Sequence, residues 1–201
     1  MTPRKRPLTR DEILTAALAI VDEAGPDALS MRKLAAALGV EAMTLYHHFA
    51  NKDAILDGVV ERVFGEMHVP DPLPGEWMAL AEEMFAAFRQ VLVDHPNTIA
   101  LLARRPLNTR GSADFVEAPL AVLSRSGLPP DRVGKLYQSL VAYSFGHAFI
   151  ASDRPVAPED APIRRDDGRY PVARAAGASV TRFDEETFRE VLGHIMRGFV
   201  R

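Results

Sequence analysis

The chain has 201 residues, enough for one large domain or a small one joined to a medium one. It contains no cysteine, which excludes disulfides, thiol catalysis and Cys-ligated zinc and fits a reducing cytoplasm. Apolar residues make up 47% and charged residues 25%, a globular balance, and 24 basic against 27 acidic residues leave a net charge of −3, which argues against an indiscriminate nucleic-acid coat.

The first ten residues hold Arg4, Lys5, Arg6 and Arg10 and no acid. Taken alone such an arm reads first as a solvated terminus; on a mildly acidic body it can also bring local phosphate contacts. The opening MTPRKRPLTRDE has no apolar core, so no signal peptide is expected, and no apolar run reaches the roughly 18 residues of a membrane span.

Helical periodicity starts at once. Ile13, Ala16, Ala17, Ile20, Val21 and Ala24 recur at i, i+3, i+4 spacing. Thr9 and Glu12 have the spacing of a capping box, and Gly25-Pro26 ends the helix. Ser30 opens a second helix with Met31, Leu34, Ala35 and Leu38 on one face, stopped by Gly39. A third is predicted from about Glu41 to Phe49, and a fourth, capped by Asn51, buries Ile55, Leu56, Val59, Val63 and Met67.

The three prolines of Val69–Gly75 mark a boundary. A long helix with Trp77, Leu80, Met84, Phe85 and Phe88 on its stripe then ends near His95-Pro96. A short helix over Ile99–Arg104, the turn RRPLNTRGS, a helix over Phe115–Leu123 and a longer one over Pro129–Ser152 follow. Arg154 to Thr181, with four prolines and no clean period, is predicted to be a loop, and Phe188 to Phe199 form the last helix. The fold class is all-α.

Two short helices joined by a tight glycine turn, 31–38 and 41–49, have the layout of a helix-turn-helix. At about 100° per residue, Leu45 and Phe49 share one face, with Glu41 and His48 near its edge, while Met43, Thr44, Tyr46 and His47 point away. That second face suits DNA: hydroxyl, phenol and imidazole groups bond phosphates or base edges, and the Met43 and Thr44 methyls can meet a thymine methyl. Lys52, at the next helix N-terminus, suits a phosphate.

The run LSMRKLAAALGVEAMTLYHHFANKDAILDGV resembles the DNA-binding domain of the tetracycline-repressor (TetR) family. The matching elements are R-K-L-A, the L-G-V turn, T-L-Y-x-H-F and N-K-x-x-[IL]-L. The first 65 residues or so carry the resemblance strongly, and the remainder follows in the right order, through H-P, R-R-P and S-G-L-P-P. It implies a three-helix helix-turn-helix domain with its basic arm over 1–65, and a helical ligand-binding and dimerisation domain over 66–201. Residue by residue it implies DNA contacts at Arg32, Ala42, Met43, Thr44, Tyr46, His48 and Lys52. The wheel favours His47 where the family pattern favours His48; both stand, with Arg4, Lys5 and Arg6 of the arm. Ala42 and Met43 cannot make bidentate base contacts, so the operator should differ from those of relatives with polar side chains there.

Trp77, Met84, Phe88, Phe115 and Tyr137 are by themselves ordinary core residues; the resemblance makes them candidates for a ligand pocket, with Arg105, Tyr143 and His147 as polar handles. In the tetracycline repressor a metal-binding histidine lies where this chain has Leu101, and a carboxylate where it has Ile150. A magnesium–tetracycline complex would lose both partners, so the resemblance implies a more hydrophobic inducer held without a metal or other cofactor. His47 and His48 are adjacent and diverge by about 100°, so they cannot chelate one ion together. No phosphate loop or nucleophile motif is present, and no catalytic residue is assigned.

The apolar surfaces of helices near 130–152 and 184–200, with Gly193 and Gly198 allowing close approach, suit a homodimer. The expectation is a cytoplasmic, ligand-responsive regulator released from palindromic double-stranded operator DNA by a small molecule. The alternative is a helical small-molecule-binding or enzymatic protein that uses the C-terminal cavity without DNA.

Overall fold

The computed structural model describes residues 7–67, 75–104, 110–153, 170–180 and 182–200. All regular structure among them is helical: α1 (Arg10–Ala24), α2 (Met31–Leu38), α3 (Ala42–Tyr46), α4 (Lys52–Gly65), α5 (Trp77–Asp94), α6 (Ile99–Arg104), α7 (Arg110–Ser124), α8 (Pro130–Asp153), α9 (Pro171–Ala176) and α10 (Glu185–Val200).

The caps are set locally. Thr9 and Glu12 form the reciprocal box: the Thr9 hydroxyl accepts from the Glu12 amide at 3.2 Å, and the Glu12 carboxylate accepts from the Thr9 amide at 2.9 Å. Ser30 Oγ accepts from the Lys33 amide and Asn51 Oδ1 from the Ala54 amide, which start α2 and α4. Gly39 closes α2 at φ 66, a left-handed conformation that a side chain would strain, and its turn aims α3 across α2.

α3 is shorter than its sequence pattern suggests. After Tyr46 the His48 amide returns to the Leu45 carbonyl, three residues back, so the segment tightens into a turn before Phe49. α7 begins at Arg110 rather than Phe115, and Pro119 lies inside it, unable to donate to the Phe115 carbonyl one turn earlier. The predicted loop also contains α9 and a short 3-10 turn at Gly177–Val180, whose few apolar residues give no period to read; residues 154–169 of that loop lie outside the described set.

Helices α1–α4 form the head. Ile13, Ala17, Val21, Leu34, Leu45, Phe49, Ile55 and Val59 are buried in it, and α1 crosses α4 closely where Gly58 leaves room for Leu14. In the body α5 and α8 share the largest helix contact, with α7 and α10 packed against both. Arg189 of α10 bonds Glu83 at 2.8 Å, Glu82 at 3.3 Å and Glu185 at 2.8 Å, tying α10 to α5 and holding the guanidinium pKa above its ordinary value. The buried side chains form one cluster running from head to body.

Candidate DNA-binding surface and ligand cavity

The tip of the head has two faces, as the wheel requires. Leu45 is 0% exposed and Phe49 3%, whereas Met43 is 66% and Tyr46 50% exposed. His47 is exposed and His48 half-buried; Thr44, Ala42 and Lys52 are half-buried, and Arg32 is exposed on α2. The Arg10 guanidinium lies 4.0 Å over the Phe49 ring and donates to the His48 carbonyl, so α1 holds the end of the α3 turn. Arg4, Lys5 and Arg6 lie outside the described residues.

The body encloses a cavity of about 390 Å³. Met84 and Phe88 of α5, Phe115 of α7 and Tyr137 of α8 line it, four of the pocket residues named from sequence. Their neighbours in the lining are Phe85, Leu102, Ala118, Pro119, Val141 and Phe145, together with Phe64, Gly65 and Met67 from the end of α4. Among the described residues Tyr137 supplies the one polar side chain of this lining, and burial pushes its hydroxyl pKa up.

Five sequence candidates stand elsewhere. Trp77 packs half-buried against the core, and Leu101, buried, borders a separate shallow hollow beside Lys52 and Arg104. Tyr143 and His147 turn to α10: Tyr143 stacks on Phe188 at 5.2 Å and His147 meets the same ring edge-on at 5.1 Å. Each lies two residues from a cavity residue, Val141 and Phe145, and hence about 200° round the helix, close to its opposite side. Ile150 is exposed on α8, and Arg105 lies outside the described residues. The α4 contribution is the part sequence reading missed. Its signal is a second apolar line, Val60 and Phe64, beside the one that serves α1.

A helix-turn-helix head joined to a helical body with an apolar cavity defines a DNA-binding regulator with a place for a small molecule. Residues 13–59 match the profile of bacterial regulatory proteins of the tetR family, and residues 69–200 that of the tetracyclin repressor-like C-terminal domain. The chain belongs to the tetR family of bacterial transcriptional regulators.

Among its relatives, an HTH-type transcriptional regulator of Saccharopolyspora erythraea is 41% identical over 122 residues, a match spanning 59% of this chain and 52% of that protein. The tetracycline repressor protein class D of Escherichia coli is 30% identical over 197 residues, covering 96% of this chain and 89% of the repressor. In structure the chain resembles apo ActR of Streptomyces coelicolor, with a TM-score of 0.82, 28% identity and coverage of 98% and 97%. The complex of ActR with actinorhodin aligns at a TM-score of 0.79 with 27% identity, covering 96% and 95%. No described helix is long and apolar enough to cross a membrane.

Proposed function

We propose that the protein is a cytoplasmic homodimeric repressor that holds a palindromic operator until a small hydrophobic molecule enters the α5–α8 cavity. The exposure pattern of α3 carries this reading: Met43 and Tyr46 face outward from a turn anchored by buried Leu45 and Phe49. Met43 and Thr44 read base edges; Tyr46, His47, His48, Arg32 and Lys52 bond the backbone, with Arg4, Lys5 and Arg6 of the arm adding charge. The function is binding, and no residue is assigned a catalytic role.

Dimerisation uses α8 and α10. Exposed Phe149 and Ile150 on α8 supply apolar surface, and exposed Gly198 allows close approach, while Gly193 is buried beneath Arg197 of its own helix. Two α3 turns across a two-fold axis would stand about 34–36 Å apart, one helical repeat of DNA. The head and body divide near residues 65 and 66.

The inducer is uncharged and apolar, because among the described residues the cavity lining contains no charged side chain and one phenol. ActR, which resembles this chain, has been crystallised with actinorhodin, and a flat aromatic ligand suits a lining of six aromatic rings. Leu101 and Ile150 offer no metal ligand, consistent with a metal-free inducer.

The test is fluorescence anisotropy of the purified dimer on DNA from upstream of its own gene. A salt-dependent, sequence-specific complex with one palindrome is expected. A competent dimer that binds no palindromic site would overturn the reading.

A further inference from the structure

Three helix ends meet at His95, which caps α5. Its Nδ1 lies 3.0 and 2.9 Å from the two carboxylate oxygens of Asp22 in α1, and its Nε2 lies 2.9 Å from Oε2 of Glu66, the cap of α4. A carboxylate faces each ring nitrogen, and a carboxylate only accepts. Both contacts are hydrogen bonds only when both nitrogens carry protons; a neutral ring turns a lone pair toward one of the acids. The two nitrogens point apart, so the three side chains do not converge on one metal position.

The bridge crosses from head to body. Asp22 belongs to the head and His95 to the body, Glu66 caps the helix end at the joint between them, and Asn97 strengthens the crossing by donating to the Asp22 carbonyl at 2.7 Å. The charged groups facing the ring are Asp22 from α1 and Glu66 from α4, with Arg62 behind Glu66 at 3.8 Å. Arg62 in turn bonds Asp11 of α1 at 2.5 Å. On the ring's own helix, Asp94 is taken up by Gln90. Glu66 also sits between Gly65 and Met67, which line the cavity, so one short segment is cavity wall and joint at once.

We propose that the Asp22–His95–Glu66 bridge is a proton-closed latch between the helix-turn-helix head and the cavity-bearing body, so that operator affinity depends on the charge of His95. The latch rests on the regulator reading above. His95 touches neither DNA nor cavity and acts as a positioning residue. Burial lowers its proton affinity, but the hydrogen bonds to Glu66 and Asp22 outweigh burial and the net pKa lies above the ordinary 6.5. The latch is therefore fully closed below pH 6.5 and opens as pH rises through the raised value. Closure fixes α1 and α4 on the body and presents α3 in one orientation, which favours DNA binding.

Two further histidines, His47 and His48, lie at the DNA surface, so the experiment compares variants rather than the wild type alone. Full-length wild type, His95→Gln and Glu66→Gln are titrated from about pH 5 to 9 at constant ionic strength. Imidazole NMR gives the His95 midpoint, and anisotropy gives affinity for the upstream DNA. The resonance absent from His95→Gln should titrate above 6.5 in the wild type and lower in Glu66→Gln. Across the range the wild type should lose about tenfold more operator affinity than His95→Gln, with Glu66→Gln between them.

A His95 midpoint at or below 6.5, or one affinity-versus-pH curve shared by all three proteins, overturns the latch. A raised midpoint in a dimer that binds no DNA specifically at any pH overturns the regulator reading instead, and the latch's role with it. Should His95→Gln fail to fold, Glu66→Gln carries the comparison.

Discussion

The Arg10 guanidinium covers the Phe49 ring at 4.0 Å while donating to the carbonyl of His48, so one side chain from α1 fastens the turn that ends α3. The cation–π contact at an exposed site contributes about 1 kcal/mol, and the hydrogen bond supports the turn in which the His48 amide returns three residues back to the Leu45 carbonyl. Arg10→Ala should lower stability to urea by about 1 kcal/mol and weaken operator binding by more than that stability loss explains, because α3 loses its fixed pose. Arg10→Lys keeps the charge without the planar fork and should recover part of both. Unchanged DNA affinity in Arg10→Ala would show that α3 is held by Leu45 and Phe49 alone.

Contacts to phosphate and contacts to bases separate by their response to salt. Lys52→Ala should weaken binding to every sequence alike and reduce the slope of log affinity against log salt by about 0.9. Tyr46→Phe removes an uncharged donor and should weaken binding without changing that slope. Met43 and Thr44 substitutions should instead reorder preference among operator variants, by about 1–3 kcal/mol per altered base pair. Anisotropy at several salt concentrations on a panel of single-base variants distinguishes the three. A Lys52→Ala protein with wild-type salt slope would place the phosphate contact on another residue.

The head was legible because its signals are local. Thr9 and Glu12, Ser30, Gly39 and Asn51 fix helix ends within three or four residues, and the alternation of Leu45 and Phe49 with Met43 and Tyr46 gives two faces in a single run. The cavity was only half legible because it is assembled from α4, α5, α6, α7 and α8, and composition does not say which side of α8 meets which neighbour. Tyr143 and His147 carry the polar groups a ligand site would use, yet they serve α10. The His95 bridge joins residues 73 and 29 positions apart, a separation at which single carboxylates give no pattern.

Phe88 holds the cavity's rings together. Phe64 stacks over it with centroids 6.0 Å apart, and Phe145 meets it edge-on at 5.4 Å. Phe88→Ala should cost about 3 kcal/mol in urea unfolding and enlarge the cavity, so that bulkier aromatic compounds give a greater rise in melting temperature than in the wild type. Tyr143→Phe should leave that ligand response unchanged, because Tyr143 faces Phe188 on the far side of α8. A lost ligand response in Tyr143→Phe with Phe88→Ala unaffected would move the binding site to the α8–α10 side.

His147 predicts an acid limb of stability with the opposite sign to the His95 latch. Its Nδ1 accepts from Arg89 Nε at 3.1 Å, and the ring is enclosed by Tyr143, Phe183 and Phe188. Burial, and then the charge of Arg89, lower its pKa from 6.5 to about 4. Between those values the unfolded chain binds a proton that the folded one refuses, so stability rises with pH there. The contribution is complete above pH 6.5 and is lost as pH falls toward about 4, with a slope of at most about 1.4 kcal/mol per pH unit. His147→Gln retains an acceptor for Arg89 but does not titrate. Its urea-unfolding free energy should therefore vary less over this window than that of the wild type, the carboxylate contributions being common to both. Parallel curves for the two proteins would mean that His147 is protonated as readily in the folded protein as in the unfolded chain.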